Sequence, residues 1–248
     1  MLKYVYIGAI KVPAYGLFVA MGVVLCCCIA LQIAKKRQHK ASVVMLLGIV
    51  GGIGAILGAK LLTLITISVR ERGFLLSWDA FTRAGYSYYG GLFGFLLFVY
   101  IFTRIKKIDY DEYAKYYIFL LPLLQSFWKV SCFMGGCCFG IPYEGVGAVR
   151  FPEGINSLSG TLVFPVQLLE ALIAFLIAVS IIVIEKKDKL DWPVSCYLIM
   201  YGTTRFAVEF LRYHDKGIAS FSGYVCSTIC IIVGLITVIK KKKQGGIS

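Results

Sequence analysis

Residues 43–69 read VVMLLGIVGGIGAILGAKLLTLITISV, an unbroken apolar run with one charge, Lys60. About 20 apolar residues carry a helix across the hydrocarbon core of a bilayer, so this run spans it with length left for tilt. Six further stretches of the same kind lie at 12–34, 86–103, 116–134, 166–184, 194–211 and 224–239. Over all 248 residues, 59% are apolar, 16% are charged and the mean hydropathy is +0.80. Soluble domains are about half apolar and about a quarter charged. A soluble globular protein and a disordered chain are both excluded. The expected fold is an all-α membrane protein of seven transmembrane helices, forming a single domain over residues 1–248.

The net charge is +13. In a soluble chain that would point to nucleic acid. Here the basic residues bunch at the ends of apolar runs, as KKRQHK at 35–40, Lys106 with Lys107, Lys186 with Lys187, and Lys240 to Lys243. That is the positive-inside pattern, and no nucleic-acid partner is expected. With the N-terminus outside, inner loops and tail hold fifteen Lys and Arg against eight outside. The orientation is therefore N-terminus out and C-terminus cytoplasmic. The longest outer segments are 70–85 and 135–165, and the second is rich enough in Gly and turn residues to lie over the membrane surface as a partial lid.

Nine cysteines in no regular spacing do not make a disulfide scaffold, and most lie inside apolar runs as small hydrophobes. The first apolar stretch is too long for a cleaved signal and reads as a retained span. A photoreceptor would need a Schiff-base lysine in the last span, which has none between Gly223 and Ile239.

Ionisable groups within spans are costly and face a bundle interior or a wet cavity. Lys60, Lys129, Glu170, Arg205 and Glu209 are such groups, three cations against two carboxylates, and the balance suits an anionic ligand such as a phosphate. Tyr201, Arg205, Glu209 and Arg212 are spaced by four, four and three, along one helical face. Glu209 on that face can hold both arginines. Gln167 and Glu170, three apart, share a face at the outer end of the fifth span. An arginine fork steadied by a carboxylate is a clamp for a phosphodiester.

Glycine adds to this picture. Gly48 with Gly52, and Gly54 with Gly58, are small residues at helix-packing spacing. YSYYGG ends in Gly90 and Gly91, which suggests close backbone approach. In KVSCFMGGCCFG, residues 129–140, Gly135, Gly136 and Gly140 can break the helix and expose backbone N–H groups to a ligand. Cys132, Cys137 and Cys138 follow Lys129, and Cys132 shares its helical face. The cluster fits either a reactive thiol whose pKa Lys129 lowers, with Cys132 the more activated, or small side chains packing a tight turn. Three thiols without a nearby fourth ligand do not make a zinc site, and no metal is expected.

Taken in order, these stretches resemble the bacterial prolipoprotein diacylglyceryl transferase family over almost the whole chain. PAYGLFVAMG, with Tyr15 and Gly16, is similar to its first-span motif, and GGIGAILGAK to its Gly-rich second span, with Lys60 where the family has Arg. YSYYGGLFG resembles S-F-H-G-G-L-x-G, FPVQLLEA resembles H-P-S-Q-L-Y-E, and YGTTRFAVEFLRYHD resembles Y-G-x-x-R-x-x-V-E-F-x-R-x-x-D. KVSCFMGGCCFG occupies the place of the signature G-R-x-G-N-F-x-N-x-E-x-x-G. The departures are concentrated where the chemistry should be: Tyr89 and Phe164 replace histidines, Lys129 an arginine, Cys132 and Gly135 asparagines, and Cys137 a glutamate.

The resemblance implies transfer of a diacylglyceryl group from phosphatidylglycerol, or a related anionic lipid, to the lipobox cysteine thiol of a prolipoprotein signal peptide. It implies no cofactor and a place in the bacterial cytoplasmic (inner) membrane. It assigns catalysis to Arg205, Lys129, Tyr89, Glu209 and Glu170, with Arg205 as the phosphate clamp. Substrate binding falls to Tyr15, Lys60, Gly90, Gly91, Cys132, Cys137, Gly140, Gln167 and Arg212. The competing reading is a lipid-binding or transport protein that keeps the clamp and has lost turnover.

Overall fold

The computed structural model describes the chain apart from residues 1–3, 8–9, 71–84, 153–157, 159, 188–191, 215–217 and 246–248. The outer segment expected at 70–85 falls almost wholly outside the described residues, as does part of 135–165. An antiparallel pair, β1 (Tyr4–Ile7) with β2 (Ile10–Pro13), opens the chain. Then come α1 (Ala14–Arg37), α2 (Ala41–Arg70), α3 (Tyr88–Lys106), α4 (Tyr110–Tyr117) and α5 (Leu120–Gly135). After the short pair β3 (Val149–Arg150) and β4 (Leu162–Val163) come α6 (Val166–Lys186), α7 (Pro193–Glu209) and α8 (Ile218–Gly245).

Each of the seven apolar stretches coincides with a helix, and the protein is an all-α membrane protein. Five helices, α1, α2, α3, α6 and α8, are long and apolar enough to cross a membrane. A sixth span arises if α4 and α5, bent by 43° at their break, count as one. Helix α7 has only 17 residues. Helix α4 begins ahead of the apolar run of 116–134, and YDEYAKYY is too polar for an apolar run to mark. In α2 and α6 the outward positions are apolar: Ile49, Ile53, Ile56 and Leu61 on one, Leu168, Leu172 and Leu176 on the other. The polar residues are inside. That inversion of the soluble pattern is what lipid as solvent requires.

The chain forms two compact units. In the unit of residues 30–112, α2 packs on α3 through facing glycines. A Cβ on Gly58 or on Gly90 would strike the other's carbonyl oxygen, and Gly54 and Gly94 stand in the same relation. Close backbone approach of this kind is how helices associate in lipid, where apolar burial drives little. Gly48 and Gly52, the other expected pair, face open space. Ser87 caps α3, its hydroxyl accepting from the N–H of Gly90.

In the unit of residues 1–29 and 113–248, α5 packs on α6, α6 on α7, and α7 on α8. Gly22 of α1 lies against Phe127 and Leu124 of α5. Pro193 opens α7, where its missing N–H costs nothing. A hydrogen bond of 2.7 Å between the Ser195 and Thr237 hydroxyls ties α7 to α8.

Candidate functional site

The site is built where α5 and α7 end and α6 begins. Helix α5 stops because Gly136 takes the left-handed conformation (φ 70), and the N–H of Cys137 returns to the Cys132 carbonyl at 3.1 Å. The emerging chain is then held on both sides. Gly140 N–H donates to Phe164 O (3.2 Å), Phe164 N–H to Ile141 O (3.0 Å) and Ile141 N–H to Leu211 O (3.1 Å). Tyr213 N–H donates to Phe139 O at 3.1 Å, and Gly140 pairs with Arg212 as an antiparallel bridge. Three segments distant in sequence thus form one small sheet. A Cβ on Gly140 would lie 2.9 Å from Leu211 O, so the crossing needs glycine.

The expected break at Gly135 and Gly136 is present, but it does not present backbone donors to a ligand. The N–H groups of Gly136 and Cys137 close the helix cap, and that of Gly140 joins the sheet. What the break positions is side chains.

Glu170 is the pivot of the site. Its Oε2 lies 2.7 Å from Lys129 Nζ, and its Oε1 lies 3.5 Å from Arg205 Nε and 3.6 Å from Arg212 Nη1. Arg205 Nη1 pairs in turn with Glu209 Oε2, and His214 Nε2 faces Glu209 Oε1 at 3.1 Å. Lys129, Glu170, Arg205 and Glu209 are all buried. Buried ions persist only when paired, and here three cations share two carboxylates, leaving one positive charge over. Arg212 Nε and Gln167 Oε1 are buried with no hydrogen-bond partner among the described residues. Orphaned polar atoms of this kind call for a partner.

Arg212 corrects the expectation on two points. The helix ends at Glu209, so Arg212 sits on the bridge to Gly140 rather than on the face of α7. Its carboxylate partner is Glu170, not Glu209. Burial and Arg205 act against its charge, but Glu170, Cys138 and Glu209 outweigh them and raise its pKa.

Gln167 is wholly buried and donates from Nε2 to the Cys137 carbonyl at 2.8 Å, so α6 reads the loop through one amide. Beside Glu170 and Arg205 a cleft is walled by Ile173, Ile177 and Val208, with Gln125, Tyr201 and Thr204 at its polar side. Tyr15 packs edge-to-face on Trp128 (6.3 Å) and lies 3.4 Å from where a Cβ on Gly135 would be.

The Sγ atoms of Cys132, Cys137 and Cys138 all lie within 4.8 Å of one another. Cys132, the expected activated thiol, is the most buried of the three, and Lys129 is committed to Glu170. Cys138 is the acidified group of the loop. Hydrogen bonds from Cys132 and Cys137 lower its pKa, and the charges of Arg212 and Lys129 add to that against its burial. At Cys137 a hydrogen bond from Cys132 lowers the pKa, but its bond to Cys138 and burial prevail, pushing it up to about 11.

Lys60, Tyr89, Gly90 and Gly91 belong to the other unit. Lys60 is buried with its ammonium 4.3 Å from the centre of the Tyr86 ring. Tyr89 is buried and meets Tyr88 edge-to-face at 6.2 Å. Gly90 packs on Gly58, and a Cβ on Gly91 would lie 3.7 Å from Ala59 Cβ.

Sequence reasoning missed His214. The signal was there: the chain has two histidines, and this one stands two residues after Arg212. Burial lowers its pKa, with Arg212 and Arg205 adding to the effect and Glu209 opposing it.

The family described as prolipoprotein diacylglyceryl transferase matches residues 3–240. A Clostridium tetani protein named phosphatidylglycerol–prolipoprotein diacylglyceryl transferase is 29% identical over 91% of this chain and 92% of its own length. A Clostridioides difficile protein of the same name is 28% identical over 96% and 95%. The second such transferase of Clostridium perfringens is 26% identical over 97% and 94%.

Proposed function

The chain belongs to the prolipoprotein diacylglyceryl transferase family, and on that premise we propose that it moves a diacylglyceryl group from phosphatidylglycerol, or a related anionic lipid, to the cysteine thiol of a prolipoprotein signal peptide. One observation carries the reading. The buried cluster around Glu170 has one positive charge over and an unpartnered Arg212 Nε, which complements a phosphodiester of one negative charge.

In this reaction the thiolate sulfur attacks the glycerol carbon next to the phosphate. A C–S bond forms, the C–O bond breaks, and its electron pair leaves with glycerol phosphate, whose charge rises from one to two. Arg205, Arg212 and Lys129 hold the phosphate and stabilise that added charge. Glu170 and Glu209 orient the cations. The thiol proton needs a base, because the thiolate is the nucleophile. Tyr89, in the place of the motif histidine, carries a phenol hydroxyl, which suits hydrogen bonding to substrate better than proton removal. His214, neutral and set against Glu209, is our choice for the base. Tyr15, Gln167, Gly140, Cys132 and Cys137 form the pocket around the phosphate, and Lys60, Gly90 and Gly91 keep the substrate-binding roles that the family motifs give them.

The same reading supplies the finer topology: one transmembrane domain with seven spans, the short α7 included, and the N-terminus outside a bacterial cytoplasmic membrane. The distribution of Lys and Arg supports it. A cysteine placed at 35–40 should then resist impermeant thiol reagents in intact cells.

Complementation of a transferase-depleted bacterium, with lipoprotein mass as the readout, tests the function. Restored diacylglyceryl modification is the expected result. Unmodified lipoproteins, together with retained binding to phosphatidylglycerol vesicles, would favour the lipid-binding protein without turnover.

A further inference from the structure

The end of α5 and the loop after it carry three thiols whose sulfur chemistry lipid transfer does not draw on. The thiols sit on a main-chain frame that fixes where they point. Cys132 closes the last turn of the helix, and the N–H of Cys137 and its own Sγ both return to the Cys132 carbonyl, at 3.1 Å and 3.7 Å. Cys138 takes a left-handed conformation (φ 58), which a residue bearing a Cβ seldom adopts. Gln167, wholly buried, holds the carbonyl between the two loop cysteines. The outcome is three sulfurs within 4.8 Å of one another.

We propose that Cys132, Cys137 and Cys138 form a three-coordinate site for a soft monovalent metal ion, Cu(I). A thiolate–metal bond of about 2.3 Å sets the sulfurs of a planar three-coordinate complex about 4.0 Å apart. The loop meets that spacing by closing less than about 1 Å. The donor count chooses the ion. Zinc completes four ligands in structural sites, and no fourth Cys, His, Asp or Glu joins the group among the described residues. Thiolates select Cu(I), which is content with three. Binding releases the thiol protons to water and leaves an anionic complex. Arg212 and Lys129, whose charges already act on Cys138, stand on the side that such a complex needs. The sequence spacing alone argues against a metal, since it cannot show that C-x4-C-C folds back on itself.

The test is anaerobic competition for Cu(I) between the reduced protein in detergent and a chromophoric Cu(I) chelator. The wild-type protein should take up one equivalent more than the variant C132A/C137A/C138A. X-ray absorption of that equivalent should show three sulfur neighbours. Each single alanine variant should weaken uptake at least about tenfold. A Cys26→Ala, Cys27→Ala, Cys28→Ala variant, altered in the other cysteine run, should keep the site. If the triple serine variant, shown folded by its thermal transition, withdraws as much Cu(I) as wild type, the site does not exist. Two sulfur neighbours, or uptake lost with Cys26 to Cys28 instead, would overturn it equally. No lipid or acceptor peptide enters the measurement, so its outcome is independent of lipid transfer.

Discussion

The Lys129 ammonium lies 2.7 Å from the Glu170 carboxylate, with both side chains at least nine-tenths buried. This pair joins α5 to α6, and the same carboxylate meets Arg205 and Arg212. Removing Glu170 therefore leaves the buried Lys129 and Arg205 and the partly exposed Arg212 with one remaining carboxylate between them. Loss of one partner from a buried ion pair costs about 3–5 kcal/mol. Glu170→Gln should lower the thermal midpoint in detergent substantially, and Lys129→Met in the same chain should restore part of the loss. Equal midpoints for wild type and Glu170→Gln would show that the network contributes nothing to the fold.

Arg205 touches both carboxylates of the site. Arg205→Lys retains charge but loses the planar fork. Lipid transfer should fall at least about tenfold, or roughly 1.4 kcal/mol, with an unchanged thermal midpoint. Full transfer by a folded Arg205→Lys protein would remove the clamp from Arg205.

Gly223 on α8 is where Glu209 rests: a Cβ there would strike the carboxylate. Because that carboxylate is paired with Arg205, it cannot swing away freely. Gly223→Ala should cut transfer by about tenfold, or ~1.4 kcal/mol. Adding Glu209→Asp shortens the acid and should return part of the activity. If Gly223→Ala transfers lipid normally, the placement of Glu209 does not depend on this contact.

His214 gives a pH dependence of known sign. Its pKa in the folded protein lies below the ordinary 6.5. Above pH 6.5 the histidine is neutral in both states and adds no pH dependence. As the pH falls through 6.5 the unfolded chain takes up the proton first, so stability declines until the folded pKa is passed. Comparing thermal midpoints of wild type and His214→Gln between pH 7.5 and about 5 should show a smaller decline in the variant. Identical declines would mean that His214 is not displaced from its ordinary value.

Much of this was legible in the sequence, because it rests on local periodicity. Apolar runs located the helices, three- and four-residue spacing put Gln167 with Glu170 and Arg205 with Glu209, and four-residue glycine spacing found Gly54 and Gly58. What could not be read was non-local. Nothing in the spacing of α7 says that the helix stops at Glu209 and hands Arg212 to a bridge with Gly140. Nor could it say that Arg212 would find Glu170, or that C-x4-C-C would close on itself. His214 was overlooked because one histidine gains meaning only from its neighbour, Glu209.

The small sheet that seats the loop from Phe139 to Ile141 is made of N–H and C=O groups, which every residue but proline supplies alike. Its shape is therefore indifferent to most of the side chains it displays. Gly140, pressed against Leu211, is the position where that indifference ends.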